Sequence, residues 1–346
     1  MDAKRYYDGT KLLSLNDLDG NKPELFLCTT NRTGGKTTYF SRLCVNRWFD
    51  KSEKFCIEYR YKYELDEIAD KFYRDIASLF FKGTTMSTKS HAGGVFHTLE
   101  IDGVECGYAV ALNSADQIKK YSHLFSDVKR IFFDEFQSET NNYCPNEIQK
   151  FISVHTTIAR GQGLQNRYVP VYLCGNPVSI LNPYYTELGI TDRLQENTRF
   201  LRGHGWVLEQ GYNESAANAQ KESAFNRAFQ TNKYVTYSAQ AVYLNDSKTF
   251  IEKPRGRSQY LATLRYNGVD YAIRCYFDAG VIYCDYSVDK NFGEKLAITT
   301  DDHAINYVML KRNSVFLQSM RDYFNHGCFR FKNLQCKQAV LKALSY

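Results

Sequence analysis

This 346-residue chain has few prolines, no closely paired cysteines and no long apolar runs. It has six prolines, and none of its ten cysteines forms a Cys-x-x-Cys pair, which leaves a zinc site without support. No apolar run approaches the roughly 18 residues that span a bilayer, and residues 1–8 lack the apolar segment of a secretory signal. We therefore expect no membrane association, and reduced thiols that mostly fill the core.

The composition is typical of a globular protein. Hydrophobic residues make up 43% and charged residues 24%, which excludes a largely disordered chain or a collagen. The length predicts about two domains. Of the net charge of +6, residues 241–346 carry an excess of five cations over anions. This basic third favours a polyanionic partner, although a solvated surface explains the charge equally well.

The apolar patterning predicts an α/β protein with a mainly parallel sheet. Short apolar runs typical of buried strands alternate with helical spacing; the strands are expected at 25–28, 55–59, 96–99, 107–112, 130–134 and 169–175, and the helices at 37–48, 65–82 and 146–160. The later part of the chain predicts a three-strand meander over 259–286, with Asn267-Gly268 as a hairpin turn, and then helical spacing over 305–346.

The domain boundaries follow from the change in pattern near residue 203. Clustered glycines and a polar helix over 214–229 predict a hinge or small linker subdomain. We therefore expect an α/β domain over 1–202, a linker over 203–240 and a C-terminal domain over 241–346.

A phosphate-binding loop is the most specific motif in the chain. The Walker A pattern G-x-x-x-x-G-K-[ST] is met in seven of eight positions by Thr30-Asn31-Arg32-Thr33-Gly34-Gly35-Lys36-Thr37, and Thr38 follows in the helix. The loop stands between an apolar strand and a helix, where backbone N–H groups and the helix N-terminus hold phosphate. Lys36 is expected on the β- and γ-phosphates and the Thr37 hydroxyl on Mg²⁺. Thr30, in place of the first glycine, is the departure from the pattern.

Two acids, Asp134 and Glu135, stand at the end of the strand predicted over 130–134. Asp134 is expected to hold the Mg²⁺ shell and Glu135 to activate the attacking water as a general base. Carboxylates at the carboxyl end of a strand also stand where α/β sheets bind ligands. Together with the loop, they indicate ATP and Mg²⁺ as cofactors and the additional-strand, catalytic-glutamate branch of RecA-like P-loop NTPases.

Several cations compete for the role of stabilising the transition state. Arg160 follows the helix after the acids and would act on a neighbouring subunit, whereas Arg32 would act within its own loop. Lys119 and Lys120 precede the acidic strand and are further candidates to reach across a subunit boundary. Asn176, after the next strand, would contact the γ-phosphate or place the water; a cap of a turn is the alternative for Asn176.

These residues resemble the DNA-packaging ATPases of small tailed phages of the phi29 type. The resemblance covers most of the chain; besides the loop it rests on the blocks Phe133-Asp-Glu-Phe136, Asn142-Tyr-Cys-Pro-Asn-Glu147, Asn182-Pro-Tyr184, Phe250-Ile-Glu-Lys253 and Thr299-Thr-Asp-Asp302. The family's P-loop begins with glycine where this chain has Thr30. The family's trans-acting arginine corresponds to Arg160 in this chain, and the family's trans-acting lysine falls near Lys119 or Lys120.

The resemblance implies a homomeric, pentameric ring docked on the portal of an empty prohead, in contact with capsid and, in some relatives, a prohead RNA. Such a protein acts in the host cytoplasm and is not part of the mature virion. The resemblance also implies an RNase H-like α+β C-terminal domain. Residues 258–269 hold no acid before Asp270, so we expect no metal-dependent cleavage. Phosphate contacts are expected from four arginines of this region: Arg255, Arg257, Arg265 and Arg274.

The sequence thus predicts an ATP-driven double-stranded DNA translocase. Two other functions stay open: a terminase with an active nuclease, and a non-enzymatic nucleic-acid-binding protein with a degenerate loop. A helicase is a lesser alternative.

Overall fold

The computed structural model describes residues 6–140, 142–180, 182–191, 193–194, 198–229 and 253–344. The chain divides into two compact units. The first comprises Met1–Ile190 and Leu194–Asn245, and the second comprises Thr191–Arg193 and Asp246–Tyr346. No described helix is both long enough and apolar enough to cross a bilayer. All ten cysteines are free thiols, and all but Cys328 are buried.

The first unit is built on a nine-stranded sheet. Its strands are β1 (Leu25–Thr29), β2 (Lys54–Tyr59), β3 (Met86–His91), β4 (Phe96–Ile101), β5 (Val104–Ala111), β6 (Val128–Phe133), β7 (Val171–Gly175), β8 (Phe200–Arg202) and β9 (Trp206–Gln210). They lie in the order β3-β4-β5-β2-β6-β7-β1-β9-β8. From β5 to β9 every neighbouring pair is parallel, and the pairs at the two edges are antiparallel. The mainly parallel α/β sheet is confirmed.

Helices cover both faces of this sheet. In chain order they are α1 (Thr10–Leu13), α2 (Lys36–Lys51), α3 (Asp75–Phe80), α4 (Ala115–Ile118), α5 (Glu147–Ile158), α6 (Pro183–Glu187), α7 (Glu214–Glu222) and α8 (Ala224–Ala228). Successive strand residues point to opposite faces, so Phe132 packs with Phe40 of α2, while Phe133 packs with Phe151 of α5. Each buried aromatic ring contributes roughly 1.5–3 kcal/mol through burial.

Two parts of the first unit differ from the sequence prediction. The single helix expected over 65–82 is divided into a 3-10 turn (Lys62–Leu65), a π-helix (Ala69–Arg74) and α3, because Glu67 has a left-handed φ of 60° that interrupts the first turns. Strand β3 was not expected, because it is a polar edge strand whose residues are mostly exposed.

The predicted linker began too early. Residues 206–210 form β9, which pairs in parallel with β1 and buries Val207 and Leu208 completely. The strand therefore belongs to the large sheet and not to a hinge. The polar helix expected after it is present as α7 and α8, and residues 230–240 of the predicted linker lie outside the described residues.

The second unit holds a six-stranded sheet with helices packed against one face. Its strands are β10 (Gln259–Tyr266), β11 (Val269–Tyr276), β12 (Val281–Asp285), β13 (Lys295–Ala297), β14 (Val308–Met309) and β15 (Phe329–Phe331), in the order β14-β13-β10-β11-β12-β15. The antiparallel meander β10-β11-β12 is as expected, and both residues of the Asn267-Gly268 turn have positive φ. Two helices, α9 (Ser314–Asn325) and α10 (Leu334–Leu344), complete the core.

Candidate nucleotide-binding site

The loop between β1 and α2 has the strand-loop-helix order that a phosphate site requires. Gly35 precedes the helix with φ of 93°, and Thr33 also has a positive φ. A Cβ on Gly34 would lie 3.0 Å from the Thr30 hydroxyl oxygen, and a Cβ on Gly35 would lie 3.3 Å from the Tyr6 ring. The loop is therefore tight enough that both glycines are needed, and Thr38 is half-buried in the first turn of α2.

Thr30, which replaces the usual first glycine, is accommodated by its surroundings. Its side chain is buried, and its hydroxyl donates to the backbone oxygen of Asn31 at 3.0 Å. Its methyl group lies where a Cβ on Gly211 would approach to 3.0 Å. The side chain is thus turned into the protein, and Gly211, beyond the end of β9, leaves the space that the methyl group occupies.

Lys36 and Thr37 meet residues from two other strands. The Lys36 ammonium donates to Oδ1 of Asn176 at 2.7 Å, and the lysine is 7% exposed. Asn176 directly follows β7, and Asp134 directly follows β6. The structure therefore brings together the loop, the first acid and Asn176, as the sequence analysis expects for neighbouring parallel strands.

Asp134 lies in the enclosed part of the site. Its carboxylate accepts hydrogen bonds from the Thr37 hydroxyl and from the backbone N–H of Glu135, the latter at 3.0 Å. Burial raises the pKa of Asp134 to about 6, against the opposing effect of the Lys36 ammonium. A desolvated carboxylate beside a hydroxyl is the oxygen donor set that suits Mg²⁺, so these two residues fit the predicted metal role.

Glu135 lies at an exposed turn, and a buried ion pair between Arg60 and Glu147 is hydrogen-bonded to the backbone of that turn. Its φ is 56°, and its backbone oxygen accepts from both terminal nitrogens of Arg60 at 3.4 Å. Arg60 also donates to the backbone oxygen of Phe136 at 2.8 Å and to both carboxylate oxygens of Glu147, at 2.9 and 3.1 Å. The sequence analysis missed this pair, because its members are 87 residues apart: Glu147 ends one of the family blocks, but nothing in that block points to Arg60 as its partner.

Helix α7 is hydrogen-bonded to the phosphate loop at both ends. Asn213, the N-cap, exchanges two hydrogen bonds with the Asn31 side chain, at 2.8 and 3.0 Å. Near the other end, Nε2 of Gln220 donates to the Thr33 hydroxyl at 3.0 Å and to the Arg32 backbone oxygen. No motif in the sequence points to these contacts.

Several cavities adjoin the loop, and two of them are relevant to a nucleotide. One of about 400 Å³ is lined by Lys36, Asp134, Glu135, Asn176, Gln220 and Asn226, among others. A larger one, of about 840 Å³, lies beside the end of β9. There Glu209 is 3% exposed and accepts a hydrogen bond from the Tyr7 hydroxyl at 2.7 Å. The first cavity has the size and the polar lining for a triphosphate end, and the second has room for a nucleoside.

The candidate cations divide into two groups. Arg32 lies in the loop and forms an ion pair with Glu139. Arg160 is exposed, and its neighbour Gly161 lies against Ser126, before the start of β6. Asp134 follows the other end of that six-residue strand. The strand is roughly 17 Å long, so Arg160 lies near one end of β6 and the candidate metal ligand lies at the other.

Lys119 and Lys120 lie on the segment between β5 and β6. Both are exposed, and Lys119 forms an ion pair with Asp116 at 3.0 Å. Their segment packs against α5 through Ile118, Phe125 and Ile158. The two lysines therefore lie on a segment that packs beside α5, and Arg160 follows the end of the same helix.

The four arginines predicted for nucleic-acid contact differ in their surroundings. Arg265 pairs with Asp270 at 2.8 Å and lies over the Tyr307 ring. Arg274 lies 3.9 Å from a carboxylate oxygen of Asp285 and over the Tyr260 ring. Arg255 and Arg257 are exposed ahead of β10, which makes them better placed for a phosphate backbone than the two paired arginines.

Comparison with known proteins agrees with this geometry. A family model described as "Podovirus DNA encapsidation protein (Gp16)" matches residues 1–344. The DNA packaging protein of Bacillus phage phi29 is 27% identical over 338 residues, covering 96% of this chain and 95% of the relative. That of Bacillus phage B103 is 26% identical over 304 residues, covering 86% and 89%.

Two solved structures share the fold over the whole chain. The bacteriophage phi29 genome packaging motor assembly superposes with a TM-score of 0.62 at 23% identity, covering 99% of this chain and 98% of the other. The Phi-28 gp11 DNA packaging motor gives a TM-score of 0.62 at 15% identity, covering 99% of both. The resemblance to phi29-type packaging proteins is confirmed, and the chain belongs to the podovirus DNA encapsidation protein (Gp16) family.

Proposed function

We propose that this member of a genome-packaging family is an ATPase that drives double-stranded DNA into a prohead as one subunit of a homomeric ring. The observation that carries the proposal is the meeting of three separate segments: Lys36 of the loop, Asp134 after β6 and Asn176 after β7. Such a meeting at the carboxyl ends of parallel strands is what phosphoryl transfer needs, because that reaction depends on positioning and charge.

The nucleotide would lie with its phosphates in the smaller cavity and its base and ribose in the larger one. The N-terminus of α2 and Lys36 would hold the β- and γ-phosphates. Thr37 and Asp134 would hold Mg²⁺, which when bound neutralises phosphate charge. Asn176 holds the Lys36 ammonium at 2.7 Å and is placed to contact the γ-phosphate.

Glu135 would accept a proton from the attacking water. Its side chain is exposed at the rim of the cavity, where the attacking water would approach a γ-phosphate. The hydrogen bonds from Arg60 to the backbone of this turn hold the turn in position. A positioned general base contributes about 10²–10⁴-fold to such a reaction.

The transition-state cation would come from a neighbouring subunit. Arg32 is engaged by Glu139, and Arg160 lies too far from its own site to act there. In a head-to-tail ring, the Arg160 of one subunit faces the site of the next. Lys119 and Lys120, on the segment that packs beside α5, would assist.

The second unit would dock the ring or contact nucleic acid through Arg255 and Arg257, as an RNase H-like domain that does not cut. Its acids serve local structure: Asp302 accepts from the Gly268 N–H and the Thr299 hydroxyl, and Asp285 accepts from the Ser287 N–H. The partners would be a pentamer of this chain, the portal and prohead and, in some settings, a prohead RNA. The protein would act in the host cytoplasm and leave before the virion matures.

The test compares ATP hydrolysis by the wild type and Glu135→Gln, with and without long double-stranded DNA, at high protein concentration. We expect DNA-stimulated turnover in the wild type, and a loss of about 10²–10⁴-fold with retained ATP binding in the variant. Glu100→Gln, on the remote strand β4, is the matched control. Full turnover in Glu135→Gln contradicts the assignment of the base, and absence of ATP binding by the wild type contradicts the function. A plasmid-nicking assay tests the expectation that DNA is not cut.

A further inference from the structure

Arg167 is a buried arginine that the proposed reaction does not use directly. Its side chain is 6% exposed, and its guanidinium donates to three backbone oxygens: that of Ile158 at 2.5 Å, that of Val128 at 2.8 Å and that of Phe125 at 3.4 Å. These oxygens belong to three different segments of the chain. A guanidinium can join three segments because its N–H donors point in fixed, divergent directions within one plane.

Each of the three acceptors lies where a regular element begins or ends. Ile158 is the last residue of α5, and the final carbonyls of a helix have no partner within it. Val128 is the first residue of β6, ahead of Ile131, where the pairing with β7 begins. Phe125 is the last residue of the 3-10 segment Lys119–Phe125. Because a buried carbonyl without a hydrogen bond is costly, the guanidinium supplies the donors that these ends require.

The backbone of Arg167 closes the turn that begins at Arg160. Its N–H donates to the backbone oxygen of Ala159 at 2.8 Å, so the two ends of the turn are joined. Inside the turn, Gly161 and Leu164 exchange two backbone hydrogen bonds, at 3.1 and 3.3 Å. Arg160 is the first residue of this turn, and its backbone position is therefore set where the two ends meet.

Two segments that carry candidate transition-state cations thus meet at one buried side chain. Arg160 follows α5, whose last carbonyl accepts from Arg167. Lys119 and Lys120 are the first residues of the segment whose last carbonyl, that of Phe125, also accepts from Arg167. All three cations are exposed, so their positions depend on the backbone that carries them. A displacement of about 1 Å at a reacting group can cost about 10²-fold in rate.

We infer that Arg167 is a positioning residue, which fastens the Arg160 turn and the segment Lys119–Phe125 to the start of β6 and so keeps the three candidate cations in one arrangement. Arg167 is buried and acts through the backbone of these segments, not on the nucleotide. The inference rests on the proposed function for the role of the cations, whereas the fastening itself does not.

The first test measures turnover and ATP binding by Arg167→Lys. A lysine keeps the charge but has a single nitrogen, which cannot serve three oxygens on three segments. We expect kcat to fall about tenfold or more, and the Kd for ATP to stay within about twofold of the wild type, because none of the three hydrogen bonds ends on the phosphate loop. Arg312→Lys, an exposed arginine of the second unit, is the control and should match the wild type. Wild-type turnover by Arg167→Lys, or loss of its ATP binding, overturns the inference.

Mixing two variants separates positioning of the cations from damage to the variant's own site. In a 1:1 mixture of Arg167→Lys with Lys36→Ala, about a quarter of the interfaces combine an intact phosphate loop with cations that an intact Arg167 holds, so activity should rise to about a quarter of wild type. Arg167→Lys mixed with Arg160→Ala is the matched control, since both changes affect the cation side, and it should not recover. Absence of recovery in the first mixture overturns the role through the cations.

Hydrogen exchange of the nucleotide-free proteins keeps this inference separate from the proposed function. In Arg167→Lys we expect amide exchange about tenfold or more faster in peptides covering 119–128 and 158–167, and unchanged exchange in peptides covering the phosphate loop. Unchanged exchange in the first two regions overturns the fastening, and faster exchange throughout the chain, the sign of general destabilisation, overturns it as well. The expected exchange pattern in a protein whose wild type hydrolyses no ATP supports the fastening and overturns the ATPase.

Discussion

At the scale of single residues, Glu58 is the most unusual acid in the described part of the chain. It lies on β2 between Val110 of β5 and Phe133 of β6. Its side chain is 1% exposed, and neither carboxyl oxygen has a hydrogen-bond partner among the described residues. Burial, aided by the negative charge of Glu147, raises the pKa of Glu58 well above its usual value of 4.5. The folded protein therefore holds a proton that the unfolded chain releases.

This proton makes the stability depend on pH. Above pH 4.5, and up to the folded pKa, the folded state binds more protons than the unfolded state, so stability falls as pH rises, by up to about 1.4 kcal/mol per pH unit. Glu58→Gln removes that slope, because an amide does not titrate. We expect the stability of the variant, relative to that of the wild type, to increase as pH rises above 4.5, as measured by urea unfolding.

The control for this prediction is Glu222→Gln, an exposed acid of α7. It should run parallel to the wild type over the same pH range. Parallel curves for Glu58→Gln and the wild type would contradict the assignment of a buried, protonated carboxyl group at position 58.

At the scale of elements, α7 and the phosphate loop behave as one structural unit. The Asn31 side chain accepts from the backbone N–H of Asn213 and donates to its backbone oxygen, which joins the loop to the N-cap of the helix, and Gln220 joins the last turns of the helix to Thr33. Asn31 is fully buried. Removal of the Asn31 amide leaves the backbone N–H and backbone oxygen of Asn213 without these partners, which costs roughly 1–3 kcal/mol.

We therefore expect Asn31→Ala to lower the free energy of unfolding by about 1–3 kcal/mol. Asn213→Ala keeps both of these hydrogen bonds, because they end on its backbone, but it loses the bonds from its side chain to the Ala216 N–H and to the Gly34 backbone oxygen; loss of such a cap costs about 0.5–2 kcal/mol. Denaturant unfolding measures both effects, and Asn218→Ala, exposed on the same helix, should stay within about 0.5 kcal/mol of the wild type. An Asn31→Ala protein as stable as the wild type would show that the helix and the loop are independent.

At the scale of the whole molecule, catalysis is expected to need two subunits for each site. Lys36 and Arg160 of one chain lie at opposite edges of the same sheet, so they would serve different sites. Arg160→Ala should lose about 10³–10⁵-fold in turnover and keep ATP binding. Lys36→Ala should lose nucleotide binding, but its Arg160 remains intact and could still serve the site of a neighbouring subunit.

Mixing the two inactive proteins is the decisive measurement. In a 1:1 mixture, about a quarter of the head-to-tail interfaces combine an intact Lys36 site with an intact Arg160, so activity should return to about that fraction of wild type. A mixture of Lys36→Ala with Glu135→Gln is the matched control, since both changes damage the same side of the interface. Absence of recovery in the first mixture would favour a cation that acts in cis, such as Arg32.

The sequence by itself determined those features that a contiguous stretch encodes. The loop over 30–37, the acids 134 and 135 after their strand, and the Asn267-Gly268 turn are local patterns, because backbone conformation, glycine spacing and side-chain periodicity act within a few residues. These patterns were sufficient for the α/β class and for the residues that meet around Lys36.

Only the tertiary structure decided which distant groups support or complete the site. Arg60 meets Glu147 across 87 residues, and Asn31 meets Asn213 across 182. Strand β9 joins β1 because its apolar side chains are buried there, although the glycines around it indicated a linker. Contacts at such separations depend on how the elements pack, and no local propensity specifies them.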